Sequence, residues 1–140
     1  MTKPVSVPRG YRPRAKEKFM NPVMREYFRR KLLHWKEELL RESSGTLENL
    51  RRESRNQADI ADRASVETDR SLELRTRDRE RKLISKIDAA LRRIEEGSYG
   101  YCDETLEPIS LRRLEARPIA TFSIDAQERH ERLERTHRDN

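Results

Sequence analysis

Two carboxylates three residues apart are the clearest candidates for chemistry in this chain. Asp59 and Asp62 belong to a short acidic stretch, residues 56–65, between two long charged segments with helical character. Carboxylates at this spacing can approach a magnesium ion, basic side chains or the backbone N–H donors of a partner. They can equally shape a turn and cap the helix that follows, because Asp accepts hydrogen bonds from nearby backbone N–H groups. Both interpretations are open on the residues alone.

Metal and nucleophile chemistry has few other candidates. The single cysteine, Cys102, excludes an intramolecular disulfide and a thiolate-rich metal site built by one chain. The three histidines, His34, His130 and His137, are not clustered with other ligands at metal-site spacing, so a surface position is the better interpretation of each. The sequence also has no Gly-rich phosphate loop. We therefore expect no catalytic residues and no enzyme activity.

The composition favours extended helices over one large core. Hydrophobic residues make up 33% of the 140 residues and charged residues 41%, which suits helices that each bury a narrow stripe. The net charge of +6 invites nucleic-acid binding. From Arg41 onward, however, acids and bases alternate, and such interleaved charge is typical of a solvated helix face. We expect no direct sequence-specific DNA binding, no membrane span and no secretion signal, and hence a cytoplasmic protein.

Prolines and helical spacing organise the first part of the chain. Residues 1–20 combine three prolines with basic side chains and little that could pack, which predicts a flexible basic arm. A first helix is expected from Asn21-Pro22 to about Arg55, although Gly45 could end it earlier. Its apolar stripe has coiled-coil spacing and consists of Met24, Phe28, Leu32, Trp35 and Leu39.

A second helix is expected from Asp62 or Ser65 to about Glu96, where Gly97 ends it. Its apolar seam is sparse at first and firmer later: Ala64, Leu72, Leu83, Ile87, Leu91 and Ile94.

The remainder is turn-rich, with a short helix at 110–116 and a final charged helix from Ser123 or Asp125 to about His137. The predicted fold is mostly α. It comprises a long antiparallel two-helix coiled-coil hairpin at 21–96 with its tip near 56–65, a small globular lobe at 97–126, and a C-terminal helix and tail at 127–140.

Four separated blocks of sequence resemble a known family. They are residues 59–64 (DIADRA), 71–84 (SLELRTRDRERKLI), 99–102 (YGYC) and 112–118 (RRLEARP). In this order they resemble the DksA family of bacterial transcription factors (DksA/TraR type), over about residues 20–137.

The resemblance implies a monomeric coiled-coil protein that binds RNA polymerase rather than DNA and inserts its hairpin through the secondary channel toward the active site. In that family two aspartates and an alanine at the tip are critical, and they match Asp59, Asp62 and Ala64. With guanosine tetraphosphate as effector, such proteins inhibit ribosomal RNA promoters and activate some amino-acid biosynthesis promoters in the stringent response. The effector site, shared with the polymerase, matches Arg79, Leu83, Lys86 and Arg117.

The chain departs from the family at its zinc finger. Two Cys-x-x-Cys pairs separated by seventeen residues are usual there, and the matching positions here are Cys102, Thr105, Ser123 and Ala126. Structural zinc takes four Cys or His donors, whereas alanine offers none and Ser and Thr are poor neutral donors. We therefore expect a degenerate zinc finger without zinc. Its lobe would depend on apolar residues instead: Tyr99, Tyr101, Leu106, Ile109, Leu111, Leu114, Ile119, Phe122 and Ile124.

The residues leave one alternative function of a different class. A basic helical nucleic-acid-binding or scaffold protein, whose acidic turn is only a turn, would also fit the composition.

Overall fold

The computed structural model describes residues 5–55 and 63–139, apart from the side chains at 46, 47, 49–51, 53–55, 63, 64 and beyond 137. The elements in these residues are four helices: α1 (Pro22–Arg55), α2 (Arg63–Glu96), α3 (Leu111–Ala116) and α4 (Ile124–Asp139). Tyr101 and Pro108 form an isolated antiparallel bridge. None of the described helices is both long and apolar enough to cross a membrane. The chain divides into a terminal unit, residues 1–32 and 89–140, and a central unit, residues 33–88.

Helix α1 begins where the sequence predicts. The Asn21 side-chain oxygen accepts a hydrogen bond from the backbone N–H of Met24 at 3.0 Å, and Pro22 occupies the first helical position. Gly45 does not end the helix, which continues to Arg55. A single glycine in a helix costs only about 1 kcal/mol, and a long helix can absorb that cost.

The core of the terminal unit is built around Tyr99. Its ring is buried and lies 5.6 Å from the ring of Phe28, while its hydroxyl donates to the Pro118 carbonyl at 2.8 Å. The other side chains that are completely or almost completely buried in this unit come from both long helices and from the segment after α2. They include Met24, Leu32, Ala90, Ile94, Cys102, Ile109, Leu114 and Ala126.

Helix α3 is fastened to α1 by a polar cluster. Lys31 donates to both the carboxylate and the backbone carbonyl of Glu115, at 2.7 and 2.9 Å. The Tyr27 hydroxyl donates to the same carboxylate at 2.9 Å. Ser110 caps α3 by accepting from the Arg113 N–H, as the predicted helix at 110–116 requires. The cluster fixes the position of a helix that is too short to be stable alone.

Residues before α1 also pack on the terminal unit. The ring of Phe19 meets the ring of Tyr101 edge-on at 5.2 Å, Tyr11 meets Tyr27 at 5.8 Å, and Met20 is buried. At Gly100, where φ is +90°, an added Cβ would lie 2.9 Å from the Met20 methyl carbon. The expectation that little of this segment could pack therefore does not hold for its aromatic residues and Met20, whereas its mobility stays a prediction.

The central unit pairs the two long helices in antiparallel fashion. Lys36 of α1 donates to Asp88 of α2 at 2.7 Å, and Leu39 and Ile87 are buried. The predicted mostly helical coiled-coil fold is confirmed. Its seam differs from the prediction, however, because Leu72 is 54% exposed.

Carboxylates occupy the seam of α2 instead. Ile87, Glu80 and Glu73 follow one another at intervals of seven residues, which is the heptad repeat of a coiled coil. Glu80 is only 7% exposed, and the Oε2 atoms of both glutamates are buried without a hydrogen-bond partner. Two positions that usually hold leucine or isoleucine therefore carry a cost in desolvation.

Two members of the predicted lobe core are on the surface. Tyr99, Ile109, Leu114 and Ile119 are buried as expected, but Leu106 is 77% exposed and Ile124 is 53% exposed. Leu106 lies in a turn with φ at +62°, where its N–H donates to the Cys102 carbonyl at 2.8 Å. The conformation of Leu106 is determined by the turn and not by packing, so its hydrophobicity wrongly predicted a core position.

Replacing Glu80 with leucine should stabilise the protein. Glu80→Leu removes a buried, unsatisfied carboxylate oxygen and fills a heptad position with an apolar side chain of similar length, so we expect the free energy of unfolding in urea to rise by about 1–2 kcal/mol. Glu80→Gln, which keeps the polar atoms, should gain much less. A loss of stability in Glu80→Leu would mean that the carboxylate is a favourable contact.

Replacing Leu106 with glycine should also stabilise the protein. The left-handed conformation costs a residue with a Cβ roughly 1–2 kcal/mol, part of which is returned by the greater freedom of glycine in the unfolded chain. We expect a net gain of about 0.5–1 kcal/mol in the free energy of unfolding. Leu106→Ala is the matched control, because it removes the exposed side chain but keeps the Cβ. An equal gain in both variants would assign the effect to the exposed leucine instead of the backbone.

Candidate functional site

The acidic pair lies outside the described residues. Helix α1 ends at Arg55 and α2 begins at Arg63, so Asp59 and Asp62 belong to the segment between the two long helices. Ala64 is in the first turn of α2, where its side chain is not described. The predicted roles of these three residues therefore stay predictions.

Three of the four residues expected to bind the effector share one face of α2. Arg79, Leu83 and Lys86 follow at spacings of four and three, which brings them onto one helical stripe. Arg79 and Lys86 are exposed and form no ion pair within the part of the chain that the structure describes, while Leu83 is half-buried. All three belong to the central unit. Together they form an accessible cationic face with one apolar side chain.

Arg117, the fourth of these residues, belongs to the terminal unit. It follows α3 directly, its backbone N–H donates to the Arg113 carbonyl at 2.7 Å, and its side chain is exposed. The uncharged side chain of Gln127, in the first turns of α4, donates to Glu131 at 3.2 Å. The guanidinium of Arg117 is thus available to an anionic ligand, and Gln127 offers no positive charge.

The four degenerate metal positions are brought together. Burial alone would raise the pKa of the Cys102 thiol, but hydrogen bonds from the Thr105 hydroxyl and from backbone groups of Ser123, Thr105 and Glu104 lower it to about 6. The Ser123 hydroxyl accepts from the Ala126 N–H at 3.2 Å and so caps α4. The side chains of Cys102 and Ala126 are fully buried. Hydrogen-bond donors from two of the other three positions, Thr105 and Ser123, therefore contact the sulfur.

Backbone hydrogen bonds hold the same loop in shape. The Cys102 N–H donates to the Glu107 carbonyl at 2.8 Å, and the Asp103 N–H donates to the Thr121 carbonyl at 2.9 Å. The second bond joins the two halves of the degenerate finger. The loop therefore keeps a finger-like backbone through bonds between its own peptide groups.

The residues present do not fit a structural zinc ion. Of the four positions only Cys102 offers a strong ligand atom, the Ser123 oxygen is engaged in capping α4, and Ala126 presents a methyl group. In the described residues, no group of three or more His, Cys, Asp or Glu side chains could hold a metal ion. His130 contacts Glu104 at 3.3 Å and stacks on Phe122 at 4.7 Å, outside this set of four.

Sequence reasoning missed one feature of this loop. Thr105 and Ser123 were judged only as poor zinc ligands, yet Thr105 donates its hydroxyl to the Cys102 sulfur and the Ser123 backbone does the same. The signal was present in the sequence, because threonine at one of the four positions carries a hydroxyl that can donate to the sulfur three residues earlier.

Comparisons with known proteins match both the paired helices and the finger-like loop. Residues 24–94 match the family model for the DnaK suppressor protein DksA, N-terminal domain, and residues 97–132 match the model for the prokaryotic dksA/traR C4-type zinc finger. A protein of Caulobacter vibrioides named RNA polymerase-binding transcription factor DksA is 70% identical over 129 residues, which are 92% of this chain and 91% of that protein. The Escherichia coli K12 protein of the same name is 44% identical over 115 residues, covering 82% of this chain and 76% of the relative.

A solved structure has the same fold. It is transcription factor DksA2 from Pseudomonas aeruginosa, with a TM-score of 0.80 and 44% sequence identity, and the match covers 86% of this chain and 95% of that one. Sequence, fold and the order of the two matched regions therefore agree, and this chain belongs to the DksA family.

Proposed function

We propose that this protein is a transcription regulator that binds RNA polymerase. The observation that carries the proposal is the 70% identity, over 92% of the chain, to a relative named as an RNA polymerase-binding transcription factor. The family match spans the paired helices as well as the finger-like loop. The protein acts by binding and has no catalytic activity of its own.

The acidic segment between α1 and α2 is the part that acts on the polymerase. In this proposal the helical hairpin enters the secondary channel and brings Asp59, Asp62 and Ala64 close to the active site. Carboxylates there can interact with basic side chains, backbone N–H donors or the catalytic magnesium of the polymerase. The support is their location in the sequence between two helices of 34 residues each.

Guanosine tetraphosphate is the proposed effector, bound jointly with the polymerase. Arg79, Lys86 and Arg117 supply exposed cations for its phosphates, and Leu83 supplies an apolar contact. With this nucleotide the protein inhibits ribosomal RNA promoters and activates some amino-acid biosynthesis promoters. It works as a monomer and reads no DNA sequence itself.

The finger-like loop works without zinc in this proposal. The Cys102 thiol is stabilised as a thiolate by the hydrogen bonds of Thr105 and Ser123, and the Ala126 methyl group fills space that a ligand would occupy. Packing around Tyr99 and the hydrogen bonds of the loop stabilise its folded conformation, as a bound metal does in a four-cysteine finger.

Transcription in vitro tests the function. Purified bacterial RNA polymerase should transcribe a ribosomal RNA promoter less when this protein is added, and less still with guanosine tetraphosphate. Asp62→Asn should lose the inhibition while polymerase binding is retained, because it removes one charge from the acting segment and keeps an oxygen that can cap the following helix.

Asp69→Asn is the matched control for this experiment, since it makes the same charge change at an exposed position of α2. It should inhibit like the unmodified protein. Absence of any binding to the polymerase would refute the function itself. Equal inhibition by Asp62→Asn and the unmodified protein would refute only the role of the acidic segment.

Metal analysis and a thiol titration test the zinc-free loop. Purified protein should contain far less than one zinc per chain, and the thiolate absorbance of Cys102 should develop with a midpoint near the lowered pKa of about 6. Because this pKa is below that of the unfolded thiol, the thiolate stabilises the fold most above the unfolded pKa, and the contribution disappears as the pH falls through about 6. Thr105→Val should move the midpoint upward. Stoichiometric, tightly bound zinc would contradict this part of the proposal.

A further inference from the structure

The segment before α1 carries a concentration of positive charge. Residues 5–20, here called the basic segment, contain five cations and one acid, Glu17, which gives a net charge of five minus one, or +4. The Glu17 carboxylate accepts from the Tyr11 hydroxyl at 2.6 Å and from the Asn21 amide at 3.3 Å, so its hydrogen bonds go to its own segment and the start of α1. The five cations are Arg9, Arg12, Arg14, Lys16 and Lys18.

Consecutive turns shape the basic segment. The Tyr11 N–H donates to the Pro8 carbonyl, the Glu17 N–H to the Arg14 carbonyl, and the Asn21 N–H to the Lys18 carbonyl, at 3.1–3.2 Å. Gly10, in the first of these turns, has a φ of +75°, and glycine adopts this conformation at little energetic cost. The cations are therefore distributed over a folded segment.

Apolar contacts attach this segment to the terminal unit. Tyr11 packs edge-on against Tyr27, Phe19 packs edge-on against Tyr101, and the side chain of Met20 is buried. Farther toward the N-terminus, Arg30 of α1 donates to the Val5 carbonyl at 3.3 Å. The large apolar and aromatic side chains of the segment are therefore buried or half-buried.

The outward face of the basic segment is cationic, and the apolar residues exposed on it are the small Pro8 and Ala15. All five cations are exposed, and none forms an ion pair with a carboxylate in the described residues. A protein–protein interface normally has large apolar or aromatic side chains at its centre, and the basic segment exposes none of that size. A nucleic-acid backbone needs no such centre, because binding gains free energy from the release of counterions. Arginine also matches the geometry of phosphate oxygens.

We propose that the basic segment is a binding surface for the phosphate backbone of nucleic acid, without sequence preference. This function is separate from polymerase binding by the rest of the chain, and it uses none of the residues assigned to the acidic segment or the effector. Because the segment is folded against the terminal unit, its cations lose less freedom on binding than those of an unattached tail would.

Fluorescence anisotropy with a labelled duplex of mixed sequence tests the proposal, using the full chain. Between about 50 and 200 mM salt, the logarithm of the binding constant should fall with the logarithm of salt concentration with a slope of up to about −4.5 for five phosphate contacts. Arg9→Gln/Arg12→Gln/Arg14→Gln removes three contacts and leaves the aromatic contacts in place. Its slope should be shallower by about 3, with binding at about 50 mM salt weakened at least about tenfold.

The matched control is Arg112→Gln/Arg132→Gln/Arg135→Gln, which removes the same charge from exposed positions on α3 and α4 of the same unit. It should keep most of the affinity and the slope. An equal loss in both variants, or no binding of the unmodified protein at about 50 mM salt, overturns the proposal. So does unchanged duplex binding in the first variant accompanied by weaker binding to a polyglutamate peptide, which would identify an acidic protein surface as the partner. Thermal melting of both variants verifies that they fold.

Discussion

The terminal unit depends on the burial of one tyrosine. Tyr99 follows α2 closely, packs on Phe28 of α1, and donates its hydroxyl to the Pro118 carbonyl between α3 and α4. One side chain thus connects the end of one long helix, the face of the other, and the loop that carries the degenerate finger. A buried aromatic ring with a satisfied hydroxyl contributes both apolar burial and a directional bond. In a domain of this small size, such a connection has unusual weight.

The degenerate finger has backbone hydrogen bonds across its loop although only one of its four positions is a cysteine. In a four-cysteine site, backbone N–H groups and the metal share the negative charge of the sulfurs. Here Cys102 keeps donors from Thr105 and Ser123, and the neighbouring positions hold a capping hydroxyl and a methyl group. The backbone hydrogen bonds from the Cys102 N–H to the Glu107 carbonyl and from the Asp103 N–H to the Thr121 carbonyl then connect the parts of the loop. With one cysteine among the four positions, at most one sulfur charge has to be balanced, and the hydrogen bonds to Cys102 lower the pKa of its thiol.

Local signals in the sequence predicted the helices well. The burial and long-range contacts of individual side chains were predicted less well. Asn21, Ser110 and Gly97 are cap residues whose effect is confined to one helical turn, so the ends of α1, α3 and α2 could be located from the sequence. The four finger positions followed from the family spacing. Leu106 and Leu72 were misassigned because hydrophobicity alone does not reveal a left-handed turn or the rotation of a helix face. In the basic segment, the ring of Phe19 packs against Tyr101, about 80 residues away in the sequence, and no local pattern encodes such a contact.

The carboxylates in the seam of α2 also affect which helices can pair. Two apolar heptad seams will associate with almost any similar seam, including that of a second copy. If the α2 helices of two molecules paired in parallel, Glu80 would face Glu80 and Glu73 would face Glu73, and like charges buried at such close range repel strongly. The pairing of α2 with α1 of its own chain places only one set of carboxylates in the interface. The glutamates therefore disfavour self-association. They lower the stability of the folded chain somewhat, but they make α2 more selective for α1 of its own chain.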